Sequence, residues 1–213
     1  MAGKTIIFDL DGTLTDSGEG ILNCAEMTLR HFGLPVPDRV AMRVFVGPPL
    51  RDTFLDFGIP DNRMEEAIDV YRSRYNTVGK YENYPYPGIP ELLKKLKADG
   101  HVLAVATSKP EVTAIDILKK FELAQYFDLV CGATLDGTAD AKDLIISRVI
   151  NQIGSDNERL MVGDTVFDVL GAAVHKISTI GVSWGYGSVS EMENAGAIAI
   201  AKTTEDLYNL ITK

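Results

Sequence analysis

Cysteine is nearly absent from this 213-residue chain, which has only Cys24 and Cys131. Two cysteines cannot staple a disulfide scaffold, and neither stands at metal-ligand spacing from another Cys or His, so both read as reduced packing residues. Histidine is equally sparse: His31, His101 and His175 have no partner at metal or nucleophile spacing. No apolar run approaches the roughly 18 to 20 residues that cross a bilayer. Met1 to Phe8 lacks the apolar stretch of a signal peptide, so the expected compartment is the cytoplasm. Positive charge is also short, with 21 Lys and Arg against 30 Asp and Glu, a net charge of −9. That sign repels nucleic acid phosphates and anionic membranes. Any anionic ligand must therefore be met by local cations or by a bound metal. Neither Gly-x-Gly-x-x-Gly nor a phosphate loop follows the first apolar run, which argues against a nucleotide-cofactor oxidoreductase; Gly185-Tyr186-Gly187 comes too late and is incomplete. There is no internal repeat and no low-complexity tract.

What is present is ordinary globular material, 46% hydrophobic and 24% charged, in a length that supports a core plus a small second domain. Lys4-Thr5-Ile6-Ile7-Phe8 is too continuously apolar for a half-wet hairpin and predicts a strand buried on both faces. Leu22, Ala25, Leu29 and Phe32 recur at helical spacing, closed by Gly33 and Pro35. Arg39 to Phe57 reads as short helical pieces broken at Gly47-Pro48-Pro49. Met64, Ala67, Ile68, Tyr71 and Tyr75 form a second stripe, and Tyr81 to Pro90 reads as a linker. From Glu91 onward strands alternate with helices: strands at Val102–Ala106, Leu129–Cys131, Leu160–Val162, Ile177–Val182 and Ile198–Ile200, helices at Glu111–Lys120, Asp143–Ile153, Phe167–Val174, from Ser188, and Thr204–Ile211. Alternation of this kind predicts an α/β fold, a parallel sheet with helices on both faces. Residues 16–86 carry no strand signal and read as an all-helical insertion, leaving 1–15 and 87–213 as the core.

Ligands of open parallel sheets bind beyond the carboxyl ends of the strands. The polar residues there are Asp9 and Asp11 after the first strand, Thr107 and Ser108 after the second, and Asp164 and Asp168 after Met161-Val162-Gly163. Lys142 stands where a helix begins. Singly each has a bland reading: Asp-x-Asp-Gly as a turn, Thr-Ser as a helix cap, a lone lysine as solvated surface. Arg43 and Arg51 read best as solvated, Trp184 as packing, and Lys109 equally as a phosphate neighbour or a helix start. Order and topology favour a site, because all of the strand-end residues fall on one sheet edge. Four carboxylates converging there repel one another unless a cation sits among them, and hard oxygen donors without His or Cys favour Mg²⁺.

These residues resemble the haloacid dehalogenase-like hydrolase superfamily, in its phosphoglycolate-phosphatase-like branch with a helical cap. Phe8-Asp9-Leu10-Asp11-Gly12-Thr13-Leu14 resembles the first motif, Thr107-Ser108-Lys109-Pro110 the second, Lys142 the third, and Gly163-Asp164-Thr165 with Asp168 the fourth. Lys142 is followed by Asp143 where many members have Lys-Pro. The resemblance implies a Rossmann-like core with an inserted cap, residues 16–86, and a phosphomonoester hydrolase that works through an aspartyl-phosphate. It implies Asp9 as nucleophile and Asp11 as acid and base. Thr107, Ser108 and Lys142 would bind the phosphoryl group; Asp9, the Asp11 carbonyl, Asp164 and Asp168 would hold Mg²⁺. The expected ligand is a small phosphorylated metabolite (phosphoglycolate, a nucleoside 5′-monophosphate or a sugar phosphate), with no nucleic acid or membrane partner and a monomeric or homodimeric state. A phosphomutase of the same superfamily is the alternative. A non-catalytic phospho-acceptor module, which also groups Asp, Mg²⁺, Thr or Ser and Lys, is the alternative from another class.

Overall fold

The computed structural model describes residues 3–134, 141–154 and 157–213. The chain falls into two compact units, one of residues 1–15 and 85–213 and one of residues 16–84. In chain order the elements are β1 (Thr5–Phe8), β2 (Thr15–Asp16), α1 (Gly18–His31), α2 (Leu50–Asp56), α3 (Met64–Tyr75), β3 (Tyr84–Pro85), α4 (Ile89–Ala98), β4 (Val102–Pro110), α5 (Glu111–Lys120), β5 (Leu129–Ala133), α6 (Lys142–Ile153), β6 (Arg159–Gly163), α7 (Val166–Val174), β7 (Ser178–Val182), α8 (Val189–Asn194), β8 (Ala199–Ala201) and α9 (Thr204–Ile211). None of the described helices is long and apolar enough to cross a membrane.

In the larger unit, six strands lie in the order β5-β4-β1-β6-β7-β8, and every neighbouring pair is parallel. The continuous apolar run of β1 puts it in the interior of this sheet, where both faces need cover. Its side chains divide by the strand's period of two. Ile6 and Phe8 enter one fully buried cluster with Leu103, Val105, Leu160 and Val162, while Ile7 enters the opposite one with Ala104, Ala106 and Met161. Register does the rest. Phe8 lies beside Val105 on β4 and Val162 on β6, so Asp9 and Asp164 emerge just beyond the carboxyl ends of β1 and β6, next to Thr107 on the longer β4.

The smaller unit is helical, as its stripes predict. Leu22, Ala25 and Leu29 are buried on α1, and Met64, Ala67, Tyr71 and Tyr75 on α3. Aromatic rings fill this second core, Phe45 against Phe54 at 5.2 Å between centroids and Tyr71 stacked on Tyr75 at 5.3 Å. Two details correct the sequence reading. The segment from residue 16 to 86 is not wholly without strands, since two-residue β2 and β3 pair as a small sheet. The Tyr81–Pro90 stretch is not a plain linker either, because it holds the end of a 3₁₀ turn at Gly79–Tyr81, β3, and the start of α4. Two residues are too few to show a hydrophobic period, which is why neither strand is visible in the sequence.

Candidate active site

Asp9 follows β1, and its backbone N–H donates to the Val162 carbonyl at 2.9 Å, continuing the ladder onto the loop. One carboxylate oxygen, Oδ1, accepts from the Leu10 N–H at 2.7 Å and lies 2.8 Å from the Lys142 ammonium. Burial is the largest influence on the Asp9 carboxyl and, with Asp168 and Asp11 adding to it and Lys142 opposing it, pushes it up to about 6.

Lys142 is the first residue of α6, a poor place for a cation, since helix dipoles favour negative charge there. Its ammonium is nonetheless buried, 2.9 Å from Asp168 Oδ1, and donates to the Ala106 carbonyl at 3.1 Å. Burial opposes its charge, but Asp168 and Asp9 together hold its pKa above the ordinary lysine value. Asp168 sits in the first turn of α7, and its Oδ2 accepts from the backbone N–H and the hydroxyl of Thr165 at 3.0 and 2.9 Å. One carboxylate thus caps a helix and faces Lys142 at the same time.

Asp164 is held through both carboxylate oxygens. Its Oδ1 accepts from the Thr13 hydroxyl at 3.0 Å and its Oδ2 from the Tyr186 N–H at 2.9 Å. A Cβ at Gly12 or at Gly185 would overlap this carboxylate, and Gly12 also has φ +83°, in the left-handed region. Trp184 closes the loop by donating from Nε1 to the Thr13 carbonyl at 3.1 Å. Burial, then Asp168 and Asp9, push the Asp164 carboxyl up to about 8.

Ligand oxygens of Asp9, Asp164 and Asp168 all lie within 4.8 Å of one another, and all three residues are buried. The Asp11 carboxylate is outside this cluster, paired instead with Lys109. Set against Lys109 and Lys142, the four aspartates leave two uncompensated negative charges. A buried excess of that size is stable only if protons or a cation neutralise it, and the all-oxygen donor set fits a hard divalent ion. Thr107 is buried, and its hydroxyl accepts from the Lys109 N–H at 3.2 Å; Ser108 beside it is half-buried.

The sequence-predicted residues therefore meet on one sheet edge, with Asp9, Lys142, Asp168 and Asp164 in one cluster and Thr107 and Asp11 flanking it. Reasoning from sequence missed the Lys109–Asp11 pair, Thr13, Trp184 and the Tyr186 N–H. A backbone amide leaves no signature in sequence, and the one available hint was Gly185-Tyr186-Gly187, whose glycines admit a carboxylate. His101 and His175 are structural: the His101 ring accepts from the Lys4 N–H at 3.0 Å, and His175 bonds the Asp143 carbonyl at 2.8 Å, while exposed His31 lies 3.0 Å from the Glu66 carboxylate. Gly12→Ala is expected to displace Asp164. It should cost about 1–3 kcal/mol in strain and abolish stabilisation by a divalent cation, as thermal unfolding with and without the ion would show.

Residues 6–182, which span the parallel sheet and the carboxylates gathered on a lysine at its carboxyl edge, match the family model of haloacid dehalogenase-like hydrolases. The chain belongs to that family. It is similar to a 5′-nucleotidase of Pseudomonas aeruginosa, 42% identical over 88% of this chain and 86% of that one. It is 41% identical to a tyrosine-protein kinase, PtkA, of Mycobacterium tuberculosis over 96% of this chain and 71% of that one. It is 34% identical to a phosphoglycolate phosphatase of Aquifex aeolicus over 86% of each chain. Among solved structures, that of a predicted phosphatase from Clostridium acetobutylicum superposes with a TM-score of 0.93 at 40% identity, covering 100% of this chain and 99% of that one. Within the family the chain stands with the phosphatases, in the branch that resembles phosphoglycolate phosphatase.

Proposed function

We propose that the protein is a Mg²⁺-dependent phosphomonoester hydrolase that works through a phosphorylated Asp9. The observation that carries this reading is the division of labour on that carboxylate: Leu10 N–H and Lys142 fix Oδ1, which leaves Oδ2 for in-line attack. As the Asp9 Oδ2–P bond forms, the P–O bond to the leaving group breaks, and Asp11 gives that oxygen its proton. In the second half Asp11 takes a proton from water, whose oxygen attacks phosphorus. The acyl phosphate bond breaks, returning the Asp9 carboxylate and releasing inorganic phosphate. The Thr107 hydroxyl and the Lys142 ammonium stabilise the equatorial oxygens, with the N–H groups near Leu10 and Ser108 assisting. Asp9, Asp164 and the Asp11 carbonyl are the Mg²⁺ ligands we assign; Asp168, with both oxygens already engaged, acts directly or through water. Bound there, the ion offsets the charge of an anionic nucleophile facing an anionic substrate.

The substrate class is a small phosphorylated metabolite, with substrate selection assigned to helical residues 16–84 acting as a cap. The 5′-nucleotidase relative favours nucleoside 5′-monophosphates over phosphoglycolate and sugar phosphates. The kinase-named relative supports a second reading, in which phosphorylated Asp9 hands its phosphoryl group to a hydroxyl other than water, as a phosphomutase also would. Phosphate release from a panel of these esters with Mg²⁺, alongside p-nitrophenyl phosphate, tests both. Sustained release with one ester preferred supports the hydrolase, whereas transfer to an added hydroxyl acceptor without phosphate release would replace it.

A further inference from the structure

Lys109 has no place in that scheme, yet it is one of the two ammonium groups buried among the aspartates. Its Nζ lies 2.7 Å from each oxygen of the Asp11 carboxylate, and the two side chains are only 5% and 13% exposed. The local backbone explains how it gets there. The β4–β5 register shifts between Thr107 and Pro110, and such an irregularity re-aims the side chain within it. The Lys109 N–H, bonded to the Thr107 hydroxyl, ties that turn of backbone to the phosphate-binding edge. Lys142 has a different set of partners, Asp9 and Asp168 with the Ala106 carbonyl. The two lysines therefore take separate aspartates, Lys109 pairing with Asp11 and Lys142 with Asp9 and Asp168, while Asp164 is held by Thr13 and the Tyr186 N–H.

We propose that Lys109 is a positioning residue for Asp11, gripping both carboxylate oxygens so that this side chain meets the leaving oxygen and then the attacking water from one fixed place. The inference rests on the reading of Asp11 as acid and base. An aspartate side chain has two rotatable bonds, and a misplacement of about 1 Å in a reacting group costs about 10²-fold in rate. A nearly buried, two-oxygen ion pair removes that freedom in a way that an exposed lysine could not.

The test uses kcat/KM for two esters, p-nitrophenyl phosphate, whose leaving group departs without a proton, and an alkyl phosphomonoester, whose leaving group needs one. Lys109→Met is expected to cost about 10²-fold on the alkyl ester and less than about tenfold on the aryl ester, and Lys109→Arg to recover part of the loss. In an Asp11→Asn background the same Lys109→Met change should cost less than about twofold, because a residue acting through Asp11 has nothing left to position. The double variant also removes both charges of the pair, so it keeps the fold testable if the single variant is unstable. Equal losses on both esters, or an undiminished Lys109→Met loss in the Asp11→Asn background, would overturn the inference. If Asp11→Asn itself lost equally on both esters, the acid role of Asp11 would fall and this inference with it. A leaving-group effect in Asp11→Asn without one in Lys109→Met would overturn this inference alone.

Discussion

Asp9→Asn is expected to lower kcat by about 10⁴-fold or more, the scale on which removal of a nucleophile acts, while the protein remains folded. Asparagine keeps an oxygen for the Leu10 N–H, and Lys142 keeps Asp168 and the Ala106 carbonyl. The fold already disfavours the ionised form of Asp9, since burial raises its carboxyl to about 6. Removing that charge should leave the metal-free melting temperature unchanged or higher. Loss of activity with retained stability separates a chemical role from a structural one; a variant that kept a tenth of wild-type activity would contradict the assignment of the nucleophile.

The second large effect concerns the cation. Asp164 has its carboxyl raised to about 8 in the folded, metal-free protein, against an ordinary value of 3.8. The folded state therefore holds a proton there that the unfolded state releases, so between about pH 4 and pH 8 this group makes metal-free stability fall as pH rises. On the proposed assignment Mg²⁺ would compete with the proton for the same oxygens, so its apparent affinity should rise toward about tenfold per pH unit below about pH 8 and level off above it. At a hundredfold excess over Kd, binding adds about 2.7 kcal/mol, which for a chain of this size raises Tm by roughly 5–10 °C. Thermal unfolding at pH 6, 7 and 8 with and without Mg²⁺ reads this directly. Asp164→Asn should abolish the Mg²⁺ shift and flatten the dependence on pH. A Mg²⁺ shift equal at all three pH values, or unchanged in Asp164→Asn, would place the ion elsewhere.

How much of this was legible in the sequence depended on the kind of signal. Strands buried on both faces, such as Ile6-Ile7-Phe8 and Leu160-Met161-Val162, announce themselves as apolar runs, and the polar residues ending them became the candidate site through order alone. Helix starts were equally visible, as with Glu111 and Thr204, whose elements lie where expected. The sequence ended β4 at Ala106, but it runs on to Pro110 because the register shift lets a polar segment remain in the sheet. That extension is what aims Lys109 at Asp11. In sequence, a lysine between Ser108 and Pro110 fits a helix start just as well. Trp184 read as packing because its one polar contact, to the Thr13 carbonyl, joins segments 171 residues apart. The clamp on Asp164 is made of a threonine hydroxyl, a backbone amide and two glycines, none of which carries a pattern until the loop is folded.

The most direct measurement is a borohydride quench during steady turnover with Mg²⁺, followed by mass spectrometry of the tryptic peptide from Thr5 to Arg30. An acyl phosphate on a carboxylate is reduced to the alcohol, so homoserine at position 9, absent from unreacted enzyme and from Asp9→Asn, is the expected result. Turnover with residue 9 unmodified, or with the reduced residue at position 11 or elsewhere, would contradict the account.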